Sequence, residues 1–147
     1  AMRIMPAFIE NLEYADIVRG SAEDIQTLLN ETDPEKLYHQ RISFETPNFI
    51  FTDGSRGADI FCHAGHLHVD TPKIKTVSTI GAGDNFNAGI LFALYRENIS
   101  REELSTLTLN RWEKIIQYGN TFASEVCQSL DNYISPAFAA HIKQEQP

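Results

Sequence analysis

The chain has 147 residues, a formal net charge of −8, 42% hydrophobic residues and 22% charged residues. That is the composition of one ordinary globular domain with enough apolar side chains for a core. It excludes a nucleic-acid partner held by a basic stripe, and no apolar run approaches the ~20 residues needed to span a bilayer. It does not exclude a nucleotide, because backbone N–H groups and a helix terminus bind phosphate without basic side chains. No basic segment followed by an apolar run and a small-residue cleavage site marks a signal peptide, and Ala1 ahead of Met2 reads as a cloning remnant. The two cysteines, Cys62 and Cys127, match no metal or redox spacing. Both lie in apolar patterns, which predicts buried free thiols in a reducing cytoplasm.

Taken in chain order, Ile4, Phe8, Ile9 and Leu12 recur at helical spacing and predict an amphipathic helix. Ala15 to Val18 is a short strand. Ser21 reads as an N-cap with Asp24 three positions on, a capping-box pattern ahead of Ile25, Leu28 and Leu29. Asp33-Pro34-Glu35 opens another helix, with Pro34 at its first position. Asn48 to Thr52 is a continuous apolar run, as in a strand buried on both faces. Ala58 to His63 and Leu67 to Val69 flank Ala64-Gly65 and form a hairpin. Lys73 to Val77 is a short extended segment. The helix after Asp84 carries Phe86, Ile90, Leu91, Phe92, Ala93 and Leu94, apolar nearly all round, and is expected to be central. Leu109, Trp112, Ile116, Gly119, Ala123, Val126 and Leu130 mark one long helix with a single apolar face. Strand alternating with helix predicts an α/β fold with a mostly parallel sheet and one hairpin, in a single domain over residues 1–147.

Chemistry concentrates in Thr79-Ile80-Gly81-Ala82-Gly83-Asp84. The small residues Gly81, Ala82 and Gly83 let a ligand reach backbone N–H groups, and the helix that follows adds unpaired N–H groups and a positive dipole end. These make an anion hole. Asp84 stands beside it, placed to take a proton from a hydroxyl attacking phosphorus. Helix capping is the structural alternative for an aspartate at such a position. The turn from Thr52 to Gly57 lies at the carboxyl end of a predicted strand, where open α/β sheets bind ligands. Three histidines, His63, His66 and His68, tempt a metal reading. No acidic or cysteine partner falls close to them in sequence, so an exposed hairpin is the expectation.

Ser78-Thr79-Ile80-Gly81-Ala82-Gly83-Asp84-Asn85-Phe86 resembles the second signature of the ribokinase-like (PfkB) family of carbohydrate and nucleoside kinases, roughly Asp-Thr-Thr-Gly-Ala-Gly-Asp-x-Phe. Phe49 to Gly57 is similar to that family's strand and Thr-x-Gly-x-x-Gly turn. Tyr14 to Ser21 resembles the strand leading into its Asn-x-x-Glu segment, and Gly119 to Ala123 its Ala-rich helix with an Asn near adenine. The resemblance runs from about Ala15 to Pro136. It implies a three-layer α/β/α fold and an ATP-dependent sugar kinase. In that reading Asp84 is the catalytic base, and Gly81, Ala82 and Gly83 hold the transferring charge. Thr52, Gly54, Ser55, Gly57 and Asn120 contact nucleotide, and Ser21 and Asp24 organise Mg²⁺ through water. Helix capping explains Ser21 and Asp24 equally well. An Asn within a long helix, such as Asn120, is otherwise a solvated or locally bonded side chain. Ser78 replaces the family's Asp, which removes a carboxylate from the monovalent-cation site, and Asp53 stands where the family often has an apolar residue.

The resemblance covers only the family's C-terminal, nucleotide-side half. The sugar-contacting half and the β-sheet lid are missing from the match. An exposed apolar face, a homodimer formed over it, and an inactive isolated fragment are therefore expected. Two readings follow from the residues. One is the nucleotide-binding and catalytic-base half of a carbohydrate kinase, acting on a small-molecule sugar of the fructose, ribose or nucleoside type. The other is a non-catalytic nucleotide-binding remnant or interaction module.

Overall fold

A computed structural model describes residues 5–145. Helix α1 (Met5–Tyr14) leads into strand β1 (Ile17–Ser21), followed by helices α2 (Ala22–Leu29) and α3 (Pro34–Gln40) and strand β2 (Asn48–Thr52). A 3-10 turn at Gly54–Arg56 then precedes the hairpin of β3 (Ala58–Cys62) and β4 (Gly65–Val69). The second half holds α4 (Ala82–Arg96), a 3-10 segment at Arg101–Thr106, α5 (Leu109–Cys127) and α6 (Pro136–Gln144). Among the described residues no helix is long and apolar enough to cross a membrane.

The local signals account for most of these elements. Ser21 accepts a hydrogen bond from the Asp24 N–H while the Asp24 carboxylate accepts from the Ser21 N–H, so the capping box closes as the pattern predicts. Asp33 caps α3 through the N–H groups of Glu35 and Lys36, with Pro34 at the first position. Ser135 followed by Pro136 starts α6 in the same manner, a signal present in the sequence but absent from the predicted elements. The first predicted helix is seen from Met5 onward, Ile4 lying outside the described residues.

The strands form one sheet in the order β1-β2-β3-β4. Only the β1/β2 pair is parallel; β2/β3 and β3/β4 are antiparallel. β2 reaches β3 through a short turn rather than a crossover helix, which forces the antiparallel sense. Strand β2 is buried on both faces, as expected of its continuous apolar run. On one face Phe49, Phe51 and Phe61 pack with Ile25, Leu37 and Tyr38 of α2 and α3. On the other, Ile50, Ala58, Ile60 and Cys62 pack with Phe86, Ile90, Trp112, Ile115 and Ile116 of α4 and α5. These faces give the α/β/α layering. Asn48, fully buried, donates its amide hydrogens to the carbonyls of Asp16 and Leu104, tying the start of β2 to the chain on both sides. Cys62 and Cys127 are both free and buried.

The segment Lys73 to Val77 is in no sheet strand among the described residues; the N–H groups of Val77 and Ser78 donate to the Cys127 carbonyl at the end of α5. Two expectations need correction. Helix α5 stops at Cys127, and Leu130 lies beyond it, 83% exposed. Helix α4 is covered on one side only: Phe86, Gly89, Ile90 and Ala93 are buried while Leu91 and Tyr95 are 66% and 85% exposed. Among the described residues no second layer lies over that side.

Candidate active site

Helix α4 begins at Ala82, with Gly81 as its N-cap in the left-handed region (φ 81°). Only glycine adopts that conformation freely, and a Cβ there would also press on Asn132 at 3.0 Å. The Asn85 side chain locks the turn from within, donating to the Gly81 carbonyl at 2.9 Å and to the Asn132 carbonyl at 3.0 Å. The Ala82 N–H is engaged with the Thr79 carbonyl at 3.2 Å, whereas the N–H groups of Gly83 and Asp84 have no backbone partner among the described residues. Of the expected Gly81–Gly83 set only the Ala82 N–H is thus engaged, and Asp84 adds a further free donor because Gly81 rather than Asp84 occupies the cap. Asp84 is the third helical residue. Its exposed carboxylate makes no hydrogen bond or ion pair among the described residues, so capping does not account for it.

A cleft of about 320 Å³ opens against this loop. Gly54 and Ser55 line it from the turn after β2, Ala123, Ser124 and Cys127 from α5, and the 71–76 segment from the β4 exit. Thr79 and Ala82 close one end, so the cleft runs up to the first turn of α4. Its walls are mixed: methyl and methylene surface from Pro72, Ile74, Ala82 and Ala123, and hydroxyls from Ser55, Thr71, Thr76, Thr79 and Ser124. Gly54 has positive φ (53°) and open space where a side chain would project. Burial pushes the Cys127 thiol above its ordinary range and keeps it protonated.

Three residues expected at the nucleotide do not line this cleft. Thr52 ends β2, paired with Ser21 and Ala58, and does not line it. Gly57 (φ 98°) is needed because a Cβ would run into the Val69 carbonyl of the neighbouring strand. Asn120 is buried and donates to the carbonyls of Val69 at 3.3 Å and Asp70 at 3.1 Å. It fixes where β4 ends and the 71–76 wall begins. Ala123, Ser124 and Cys127, one to two turns further along the same side of α5, line the cleft. Asp53 pairs with Arg56 through two contacts of 2.8 and 3.1 Å at the surface, which accounts for its place in the turn.

On the far side of the glycine loop lies the end of β1. Asp24 Oδ2 accepts from both the Ser21 N–H and the Ser21 hydroxyl, the latter at 2.7 Å, and these bonds hold its pKa below the usual carboxylate range. Oδ1 accepts no hydrogen bond among the described residues and is open to a water-mediated contact. No group of three or more His, Cys, Asp or Glu able to cage a metal occurs among them. A single ionised carboxylate fits Mg²⁺ held mainly by phosphate oxygens and water. The Ser78 hydroxyl, in the monovalent-cation position, accepts the Ile80 N–H at 3.2 Å. Arg19 of β1 is the residue that sequence reasoning missed. Its guanidinium Nη2 lies 2.6 Å from where a Cβ on Gly83 would be, and its Cζ is 6.0 Å from the Phe86 ring centroid. The available signal was a lone cation two strand positions before Ser21, on the same face of β1.

The family model of the pfkB family carbohydrate kinases matches residues 3–137. The chain belongs to that family. A fructokinase of Rhizobium leguminosarum bv. trifolii is 31% identical over 85 residues, which are 58% of this chain and 26% of the relative. The 2-dehydro-3-deoxygluconokinase of Thermoproteus tenax is 30% identical over 94 residues, 63% of this chain and 29% of the relative. Among solved structures, a fructokinase from Vibrio cholerae in a fructose-, ADP- and calcium-bound form superposes with a TM-score of 0.76 at 20% identity, over 95% of this chain and 44% of that one. An aminoimidazole riboside kinase from Salmonella enterica, complexed with aminoimidazole riboside and an ATP analogue, gives 0.72 at 22% identity, over 90% of this chain and 42% of that one. The fold is therefore ribokinase-like, and the chain spans less than half the length of the relatives it matches.

One further cluster in this pfkB-family chain departs from expectation. His66 and His68 do have acidic partners, Asp59 across the hairpin and, for His68, Asp70 at 3.3 Å two residues on. Asp59 Oδ1 lies 2.7 Å from His66 Nε2 and 3.1 Å from His68 Nδ1, because residues 59, 66 and 68 share one face of the paired strands. The Asp59 hydrogen bond raises the His68 pKa against a smaller opposing effect of burial.

Proposed function

We propose that this chain is the nucleotide-binding and catalytic-base half of an ATP-dependent sugar kinase. The observation that carries the reading is the continuity of the cleft with the first turn of α4: Ala82 belongs to both, and the unengaged Asp84 carboxylate stands just beyond. Adenosine would occupy the cleft between the turn after β2 and α5. The triphosphate would run toward the N–H groups of Gly83 and Asp84, where the helix terminus favours negative charge.

In the transfer step a sugar hydroxyl forms its bond to the γ-phosphorus as the bond from that phosphorus to the bridging oxygen breaks. Asp84 takes the hydroxyl proton, ADP leaves with the bridging electrons, and the loop N–H groups stabilise charge on the moving phosphoryl group. Asp24, through water, would hold the Mg²⁺ that arrives with the nucleotide and neutralises part of its charge. A hexose or ribose-type hydroxyl is the proposed acceptor, in keeping with relatives named fructokinase and aminoimidazole riboside kinase. Self-association over the exposed α4 face of Ala88, Leu91 and Tyr95 belongs to the same proposal; a monomeric mass in light scattering at all concentrations would overturn that part. The buried free thiols suit a reducing cytoplasm.

Two measurements test the reading. Calorimetric titration of the chain with ATP and Mg²⁺ should give saturable binding; no heat of binding means that no nucleotide site exists here. In any form that releases ADP in the presence of a sugar, Asp84→Asn should lower turnover by about 100-fold or more while nucleotide affinity stays within a fewfold. A variant with undiminished turnover would remove Asp84 from the role of base.

A further inference from the structure

The geometry points to Arg19 as the side chain that binds the terminal phosphates of the nucleoside triphosphate, an inference that rests on the nucleotide reading above. Three observations carry it. The guanidinium is packed on the first turn of α4, with Nη2 at 2.6 Å and Nη1 at 3.4 Å from the Cβ position of Gly83. Glycine is thus what lets a cation lie against this turn, beside the Gly83 N–H, which has no backbone partner among the described residues. The stem is held in place by the Phe86 face, 6.0 Å from Cζ, which fixes the approach without neutralising the charge. And Arg19 forms no ion pair or hydrogen bond among the described residues, although Asp24 is near enough for its charge to lower that carboxylate's pKa as the smallest contribution.

An arginine left unpaired against the first turn of α4, on a chain of net charge −8, is set up for a multiply charged anion. Its planar donor fork suits phosphate oxygens in a way that a helix terminus alone does not. Arg19 also joins two parts of the site that the sequence keeps apart, the end of β1 with Ser21 and Asp24 and the start of α4 with Gly83 and Asp84. The glycine loop itself, Thr79 to Asp84, carries no basic residue, so the positive side chain must come from a neighbouring strand.

The test compares ATP with adenosine on the purified chain, by calorimetry at low salt without divalent metal. Arg19→Met, which keeps the packing on Phe86, should weaken ATP at least tenfold and leave adenosine unchanged. Arg19→Lys should fall between. Gly83→Ala provides an independent route: its Cβ displaces the guanidinium while helical backbone at that position accepts alanine, so ATP should weaken without loss of adenosine. Adding Arg19→Met to it should then cost little more. ATP affinity within twofold of the unsubstituted chain in both Arg19→Met and Gly83→Ala would overturn the assignment and leave the nucleotide reading intact. Equal affinity of the unsubstituted chain for ATP and adenosine would also overturn it. If the unsubstituted chain binds neither, the nucleotide reading itself fails and Arg19 falls with it. Should Arg19→Met not fold, as judged by circular dichroism, Gly83→Ala and Arg19→Lys decide.

Discussion

Helices α4 and α5 pack on each other, yet they are covered very differently. Helix α5 lies between α4 and the β3–β4 hairpin and buries Trp112, Ile115, Ile116, Gly119, Asn120, Phe122, Ser124, Val126 and Cys127. Helix α4 has α5 on one side and buries only Phe86, Gly89, Ile90 and Ala93. Its opposite stripe, Asp84, Ala88, Leu91 and Tyr95 at helical spacing, is exposed throughout. The helix that anchors the fold and the helix that carries the proposed base are thus neighbours, and only the second presents an open face. An apolar helix in the sequence says how much surface seeks burial. How much is buried depends on whether a second layer is there to meet it.

The contrast can be broken at the buried side first. Trp112→Ala removes a fully buried side chain from the centre of the larger core cluster and should cost about 3–5 kcal/mol of unfolding free energy. A loss under ~1 kcal/mol in urea denaturation would mean that α5 is not the anchor. Gly89→Ala probes the crossing itself: the new Cβ would lie 2.5 Å from the Tyr118 carbonyl oxygen and 2.8 Å from the Gly119 Cα. Both are backbone atoms that cannot swing aside, so about 1–3 kcal/mol of destabilisation is expected from the thermal midpoint. An unshifted midpoint would show that the helices sit further apart.

Asn120→Ala should cost roughly 1–2 kcal/mol, since it leaves the Val69 and Asp70 carbonyls without their donor. Because those carbonyls start the 71–76 wall, ATP affinity should weaken alongside stability even though Asn120 does not line the cleft. Stability loss with unchanged affinity would confine it to the core. At the open side, Leu91→Ser and Tyr95→Ser should each change monomer stability by less than ~0.5 kcal/mol. A large loss at high protein concentration that vanishes on dilution would instead sharpen the contrast into an interface.

Much of the architecture was legible because it depends on residues a few positions apart. The bounds of β2, the capping box of Ser21 and Asp24, the Pro34 start of α3 and the hairpin around Ala64-Gly65 all follow from such signals. Errors arose where a local pattern runs on past its structural limit. Leu130 keeps the period of α5, but the chain leaves the helix at Cys127, whose carbonyl is taken up by the N–H groups of Val77 and Ser78. Of the residues proposed for the site, Gly54, Ser55 and Ala82 line the cleft, while Gly57 lies against the Val69 carbonyl and Asn120 donates to the Val69 and Asp70 carbonyls. A glycine that lets a ligand approach and one that lets a neighbouring strand approach look alike in sequence.

By itself the sequence determined most of the element types, the two-faced burial of β2, and the glycine loop ending in an aspartate. These are set by steric preferences and hydrogen bonds within one turn or one strand. Only the tertiary structure decided that Arg19 meets Gly83, that Asn85 bridges Gly81 and Asn132, that Asp59 gathers His66 and His68, and that one side of α4 stays open. Those contacts depend on which elements pack side by side, and the chain specifies that through its whole core rather than through any segment of it.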